Sequence, residues 1–158
     1  MNITLITVGT LKEQYLTTAM GEYIKRLSAY AKFEEINLKE EKILDEDNEK
    51  EIAAALDAEG EKILKAVPKD AYLITLCVEG VQVSSEELAK KIETAAQKSG
   101  KICLVIGSSH GLSPKVKAAS DYRMSVSKLT FPHQLMRVMI LEILYRSMTI
   151  LAGKRYHK

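Results

Sequence analysis

The sequence predicts an α/β protein with a mainly parallel sheet and helices on both faces of that sheet. Short aliphatic runs alternate with segments of helical period along almost the whole chain. Most of these runs are continuously apolar, which is typical of strands that are buried on both faces. Several runs end abruptly in glycine or serine, so the loops that follow them are expected to meet at the carboxyl edge of the sheet.

The alternation predicts the elements in order. Five strands are expected, at Ile3–Val8, Phe33–Leu38, Ala71–Val78, Lys101–Ile106 and Tyr122–Val126. Five helices are expected, at Lys12–Ala31, about Glu49–Val67, Ser84–Ser99, a short one opened by Ser113-Pro114, and about Pro132–Leu151. We expect them to form one domain over residues 1–158.

Local signals place several boundaries. Ser84 and Glu87 have the spacing of a capping box, in which each side chain bonds the other residue's backbone N–H. Gly100 is the expected C-terminal cap of the same helix, and Glu79-Gly80 predicts a turn. The acidic segment 39–47 predicts a mobile loop, and the helix after it is capped by Asp47 or Asn48.

The last helix is apolar on nearly every side. Few of its positions between residues 132 and 151 are polar, and Glu142 and Arg146 are spaced to pair with each other. Such a helix must be buried on several sides. Either it is the central helix of a monomer or a second subunit covers part of it, and we favour a homodimer.

Composition excludes several classes of protein. The chain is 46% hydrophobic and 28% charged, as in ordinary globular domains. The first apolar run lacks a preceding basic region and no stretch is long enough to cross a bilayer, so we expect a cytoplasmic protein. Cys77 and Cys103 lie in predicted strands and are expected to be reduced, and no metal-ligand spacing accompanies them.

Charge is distributed unevenly along the chain. Residues 34–62 contain twelve acidic and four basic residues, whereas residues 101–158 contain ten basic and two acidic ones. The C-terminal part also ends in the basic and aromatic run Lys154–Lys158. A phosphate-rich partner is therefore expected to contact the C-terminal part, although two solvated surfaces would explain the charges equally well.

Two loops at the predicted carboxyl edge are candidates for a ligand site. Gly107 and Gly111 bracket a turn after a buried strand, without the spacing of a dinucleotide fingerprint or a P-loop. The segment Ser127–Phe131 is small and polar and then aromatic, so that its backbone could bond a flat heterocycle between Leu76, Leu129 and Phe131. Both loops could also be simple connections.

Histidine chemistry is not decided by spacing. His133 and Arg137 lie one turn apart in the last helix and could form a cationic site. His110 lies in the glycine turn and His157 in the basic tail. A single histidine is most often a surface or capping residue, and the residue order of hydrolases and metalloproteases is absent.

Four blocks of residues together resemble the RlmH group, which are SPOUT-class methyltransferases of large-subunit ribosomal RNA. These blocks are Ile106–Leu112, Ser125–Gln134, the helix positions Met136-Arg137, Glu142 and Tyr145-Arg146, and the terminal Tyr156-His157-Lys158. The N-terminal strand with Leu11-Lys12, and the helix around Tyr23, are also similar to that group. The resemblance therefore extends over the whole chain.

The resemblance implies a fold, a cofactor and a partner. The C-terminal part would be threaded as a trefoil knot, which is the SPOUT or α/β-knot fold, and the last helix would form a homodimer. The protein would bind S-adenosyl-L-methionine and methylate N3 of a pseudouridine in 23S rRNA on the assembled ribosome. The cofactor contacts would be Leu76, Gly107, Val126, Ser127, Lys128, Leu129, Thr130 and Phe131.

The expected chemistry needs a base and a group that stabilises an anion. We expect these roles to fall among Arg137, Arg146, Tyr156, His157 and His133, with the tail supplied by either subunit, although His133 could instead cap the helix. A SPOUT enzyme with another RNA site and a non-catalytic ribosome-binding dimer remain as alternatives. Ser108 stands where the group usually has glycine, and it would be strained if a positive φ were required.

Overall fold

A computed structural model describes residues 1–157 and contains a five-stranded parallel sheet in the order β2-β1-β4-β3-β5. The strands are β1 Asn2–Val8, β2 Lys32–Leu38, β3 Tyr72–Val81, β4 Lys101–Ile106 and β5 Tyr122–Met124. The helices are α1 Gln14–Leu27, α2 Glu49–Ala66, α3 Ser85–Ser99, α4 Pro114–Ala119 and α5 His133–Leu151. The predicted fold class is confirmed, and every predicted element forms.

Two apolar layers enclose the sheet. Ile3 and Leu5 of β1 pack with α1, α3 and α5, whereas Ile6 and Val8 pack with α2 and α4 on the opposite face. This division follows from the alternation of side chains along a strand. Both faces of β4 are buried, which explains why its sequence is continuously apolar.

The helix caps agree with the local sequence. Asn48 accepts hydrogen bonds from the backbone of Lys50 and Glu51, and both bonds of the Ser84 and Glu87 capping box are formed. Gly100 ends α3 with a φ of 68°. The segment 39–47 is irregular, but it is bonded to α2 because the Leu44 N–H donates to Glu51 Oε1 at 2.6 Å.

The predicted turn at Glu79-Gly80 lies in a wide irregularity of β3. The strand extends to Val81, but Leu76 and Val81 both pair with Met124 of β5, so residues 77–80 leave the ladder between them. A β-carbon on Gly80 would lie 2.5 Å from the Met124 carbonyl carbon, so this glycine permits the close approach of the two backbones. α1 and β5 are also shorter than predicted.

Helix α5 is covered mainly by its own chain. Ile140, Leu141, Leu144 and Met148 are buried against α1 and α3. A strip of the helix remains partly accessible and contains Leu135, Met139, Ile143 and Ile150. Among the described residues, none of the helices is both long and apolar enough to span a membrane.

Candidate active site

A cleft of about 690 Å³ opens at the carboxyl edge of three adjacent strands, β4, β3 and β5. Its walls come from the end of β3, the turn 107–111 after β4, the loop 125–131 after β5, and the first turn of α5. The volume lies in the usual range for small-molecule sites, and most of the lining surface is apolar. The cleft lies where open parallel sheets bind ligands.

The turn after β4 is closely packed. A β-carbon on Gly107 would lie 2.1 Å from the carbonyl oxygen of Gly111, and thus only glycine fits there. The Gly111 N–H donates to the Ser108 carbonyl at 2.9 Å, and Gly111 has a φ of 86°. The segment is therefore the tight turn that its sequence allows, and it also forms part of the cleft wall.

Ser108 is not strained. Among the described residues, Asp70 is the one non-glycine residue with a positive φ, so the expected penalty at Ser108 does not arise. The Ser108 hydroxyl instead donates to Glu59 Oε2 of α2 at 2.9 Å, and both residues are buried. The other oxygen of Glu59 accepts the backbone N–H of Glu41 at 2.9 Å.

The end of β3 contributes a wall that the sequence did not predict beyond Leu76. Cys77, Val78 and Glu79 also line the cleft, and they belong to the segment that leaves the ladder between Leu76 and Val81. Glu79 pairs with Lys117, which lines the cleft from α4, and this contact lowers the pKa of the Glu79 carboxyl. Cys77 and Cys103 are free thiols, and burial raises the pKa of Cys103 to about 12.

The loop after β5 forms the facing wall. The Ser125 hydroxyl donates to the Ser127 carbonyl at 2.9 Å, and the Leu129 N–H donates to the Ser127 hydroxyl at 3.0 Å. Seven residues predicted to contact a cofactor line the cleft, namely Leu76, Gly107, Val126, Ser127, Leu129, Thr130 and Phe131. Lys128 was predicted with them but is not among the lining residues.

His133 is the first residue of α5 and lines the cleft. Burial, and then the nearby charge of Arg137, lower the pKa of its imidazole, while Glu40 opposes them. The neutral ring is therefore favoured near pH 7. Of the five side chains predicted for catalysis, His133 is the one among the cleft-lining residues.

Arg137 is a buried anchor. It is 1% exposed, and its Nη2 donates to the carbonyl oxygens of Val8 at 2.9 Å and Gly9 at 2.7 Å. Burial lowers the pKa of the guanidinium, and the charges of Glu35 and Glu40 oppose that shift. Arg137 therefore connects α5 to the end of β1, while its charge contributes to the lowered pKa of His133.

The remaining predicted side chains cluster near the other end of α5. The Tyr156 hydroxyl donates to Glu142 Oε1 at 3.1 Å, and Arg146 pairs with the same carboxylate. His157 Nε2 lies 2.7 Å from Glu86 Oε1. Arg146 follows His133 by thirteen residues, which places it about 20 Å farther along the helix. Lys158, the last residue of the terminal block Tyr156-His157-Lys158, lies outside the described residues.

Comparison with known proteins identifies the family. A model of the family described as "Predicted SPOUT methyltransferase" matches residues 1–157. The chain is 48% identical to the ribosomal RNA large subunit methyltransferase H of Streptococcus thermophilus and 46% identical to that of Bacillus pumilus, over the full length of both chains in each case. The crystal structure of tRNA (m1G37) methyltransferase from Aquifex aeolicus matches 99% of this chain and 73% of its own, with a TM-score of 0.56 at 12% identity, and shares the fold. The chain therefore belongs to the SPOUT methyltransferase family.

Proposed function

We propose that this protein uses S-adenosyl-L-methionine to methylate large-subunit ribosomal RNA in the cytoplasm, at N3 of a pseudouridine in 23S rRNA on the assembled ribosome. The observation that carries the proposal is the cleft at the carboxyl edge of β3, β4 and β5 in a chain of this family. The full-length similarity to ribosomal RNA methyltransferases supports the substrate class.

The cleft fits this cofactor in size and chemistry. Its mostly apolar walls suit an adenine ring, and Leu76 and Leu129 are among the residues that line it. Gly107 lines the cleft, and the loop 126–131 supplies further peptide groups. When bound, S-adenosyl-L-methionine supplies a methyl group activated by its positively charged sulfur.

The residues of the protein have to position the pseudouridine and accept the proton that leaves its N3. The N3–H of a pseudouridine lies between two carbonyl groups and must be lost for the nitrogen to be methylated. His133 is suited to accept this proton, because it lines the cleft and its pKa is lowered. Arg137 supports His133 by fixing α5 against β1, since its Nη2 is already bonded to two carbonyl oxygens.

A homodimer would bring the second group of predicted catalytic residues to a cleft. In one subunit, Arg146 lies about 20 Å along α5 from His133. Antiparallel pairing of α5 through the strip Leu135, Met139, Ile143 and Ile150 would bring the tail of one subunit towards the cleft of the other. Arg146, Tyr156 and His157 would then stabilise the anion in trans. We also propose that the C-terminal part of the chain is threaded as a trefoil knot.

Charge is consistent with an RNA substrate. Residues 101–158, which form much of the cleft and all of α5, contain ten basic and two acidic residues. Such a surface favours contact with phosphates. The alternative of a non-catalytic ribosome-binding dimer drew its support from strain at Ser108, and that support is removed because Ser108 lacks a positive φ.

Two measurements test the proposal. The purified protein is titrated calorimetrically with S-adenosyl-L-methionine and with S-adenosylhomocysteine, and both should bind. The protein is then incubated with the cofactor and with ribosomes from a strain that lacks this enzyme, beside free 23S rRNA as the control. We expect methylation of the assembled ribosome at one pseudouridine, mapped by mass spectrometry of nuclease fragments. If neither compound binds, the proposal that the protein is a methyltransferase is rejected. If the methyl group is found at another RNA site, the proposed specificity for a pseudouridine in 23S rRNA is rejected.

A further inference from the structure

The pair formed by Ser108 and Glu59 connects the cleft to a helix that contributes none of its lining residues. Ser108 lines the cleft, whereas Glu59 lies in the middle of α2, on the face of the sheet that also bears α4. Their side chains meet at 2.9 Å, and both residues are buried, Ser108 at 6% and Glu59 at 3% exposed. We propose that this pair is a positioning device that holds the turn 107–111 in the conformation that binds the cofactor.

Glu59 bonds to two different segments of the chain at once. One carboxylate oxygen accepts the Ser108 hydroxyl, and the other accepts the Glu41 N–H at 2.9 Å. Glu41 also pairs with Lys62 of α2. A carboxylate with both oxygens bonded in a buried setting has few alternative orientations, so the position of α2 is transmitted to the turn.

The turn needs such a constraint. Gly111 has a φ of 86°, so this end of the turn has backbone freedom, and within the turn the backbone contact between Ser108 and Gly111 closes it. The Ser108 hydroxyl attaches the turn to α2 at 2.9 Å, a shorter contact than that of the exposed Ser109 hydroxyl with Glu40 at 3.5 Å. Without it the turn would populate other conformations, and the apparent cofactor affinity would fall in proportion to the population that remains competent.

The inference rests on the proposed function, and calorimetry tests it with three variants. Ser108→Ala removes the hydroxyl, Glu59→Leu removes both carboxylate oxygens at a similar side-chain volume, and the double variant removes both partners of the bond. We expect the Kd for S-adenosylhomocysteine to rise about tenfold in Ser108→Ala. The double variant should bind no more weakly than the weaker single variant, because both substitutions break the same bond. Additive effects of the two substitutions would overturn the inference.

Ser99→Ala is the matched control. Its hydroxyl bonds the backbone of Lys101 at the amino end of the same strand, β4, on the edge opposite the cleft. It removes a serine hydroxyl bond without touching the cleft wall, and cofactor affinity should stay at the wild-type value. A loss of affinity in Ser99→Ala equal to that in Ser108→Ala would mean that affinity follows general stability, and would overturn the inference.

Hydrogen exchange gives a readout that needs no cofactor. The Gly111 amide should exchange about tenfold faster in Ser108→Ala than in the wild type, and be unchanged in Ser99→Ala. Faster exchange with unchanged Kd, or raised Kd with unchanged exchange, would each overturn the inference. If the wild type binds neither compound, the proposed function fails, and the exchange at Gly111 alone decides whether the pair holds the turn.

Discussion

The two walls of the cleft are held in different ways. The turn 107–111 after β4 is fixed by close backbone packing at Gly107 and by the buried bond from Ser108 to Glu59. The loop 125–131 after β5 is fixed by short-range bonds around Ser127, and its Leu129 is 71% exposed. One wall is attached to a distant helix, and the side-chain hydrogen bonds of the other are made within the loop itself.

The difference indicates that the two walls contribute to ligand binding in different ways. A pre-formed wall lowers the entropic cost of binding a ligand, whereas a wall with an exposed apolar side chain can close over that ligand afterwards. Substitutions in the turn should therefore impair folding and binding together. Substitutions at the tip of the loop should impair binding alone.

Gly107→Ala is expected to have the largest effect. The new methyl group would overlap the Gly111 carbonyl, so the turn must rearrange. We expect the free energy of unfolding to fall by about 3 kcal/mol and cofactor binding to be lost. Chemical denaturation and calorimetry with S-adenosylhomocysteine measure both quantities.

Gly21→Ala is the control for that substitution. Gly21 lies in α1, and a β-carbon there meets no atom within 4 Å. Alanine in a helix is favoured over glycine by about 0.5–1 kcal/mol, so this variant should be slightly more stable and bind normally. Wild-type binding by Gly107→Ala would show that the turn is not the rigid wall.

Substitution of His133 is expected to give the next largest effect, on the rate of methylation and on its dependence on pH. Its lowered pKa means that the ring stays neutral to a lower pH than an ordinary histidine, whose pKa is 6.5. The rate should therefore be constant above that value and fall as pH falls through the lowered pKa, because protonation removes the acceptor. His133→Gln should lose this acid limb and about a hundredfold in rate at pH 7.5.

Single-turnover methylation of ribosomes at saturating cofactor measures that rate across pH. Calorimetry at the same pH values is the control, because cofactor affinity should not follow the His133 titration. An acid limb that persists in His133→Gln would assign the base to another residue, and Tyr156 and His157 would be substituted next.

Local interactions explain which parts of this structure the sequence predicts. Residues close together in the chain form the capping box of Ser84 and Glu87 and the cap at Gly100. Both can therefore be predicted from the sequence. The edge of the sheet that bears the cleft also follows from where the apolar runs end, as at Gly107.

Long-range interactions explain what the sequence does not predict. Ser108 and Glu59 are 49 residues apart, and Arg137 bonds carbonyl groups near the start of the chain. Neither contact leaves a periodic signal. The sequence signals a break in the strand at Gly80, but only the packing against β5 shows that the break is an irregularity in the ladder with close backbone approach.

Leu129→Ala should have the smallest effect and is the sharpest test of the second wall. Leu129 is mostly exposed and lines the cleft, so its loss should change the free energy of unfolding by less than about 0.5 kcal/mol. If the side chain closes over the cofactor, it becomes buried only in the complex, and its loss should raise the Kd about fivefold. Leu44→Ala is the matched control, because Leu44 is 79% exposed in the loop before α2 and is not among the lining residues. Equal affinity in both variants would mean that the loop tip does not close over the ligand, whereas a loss of stability in Leu129→Ala alone would mean that the loop is packed as firmly as the turn.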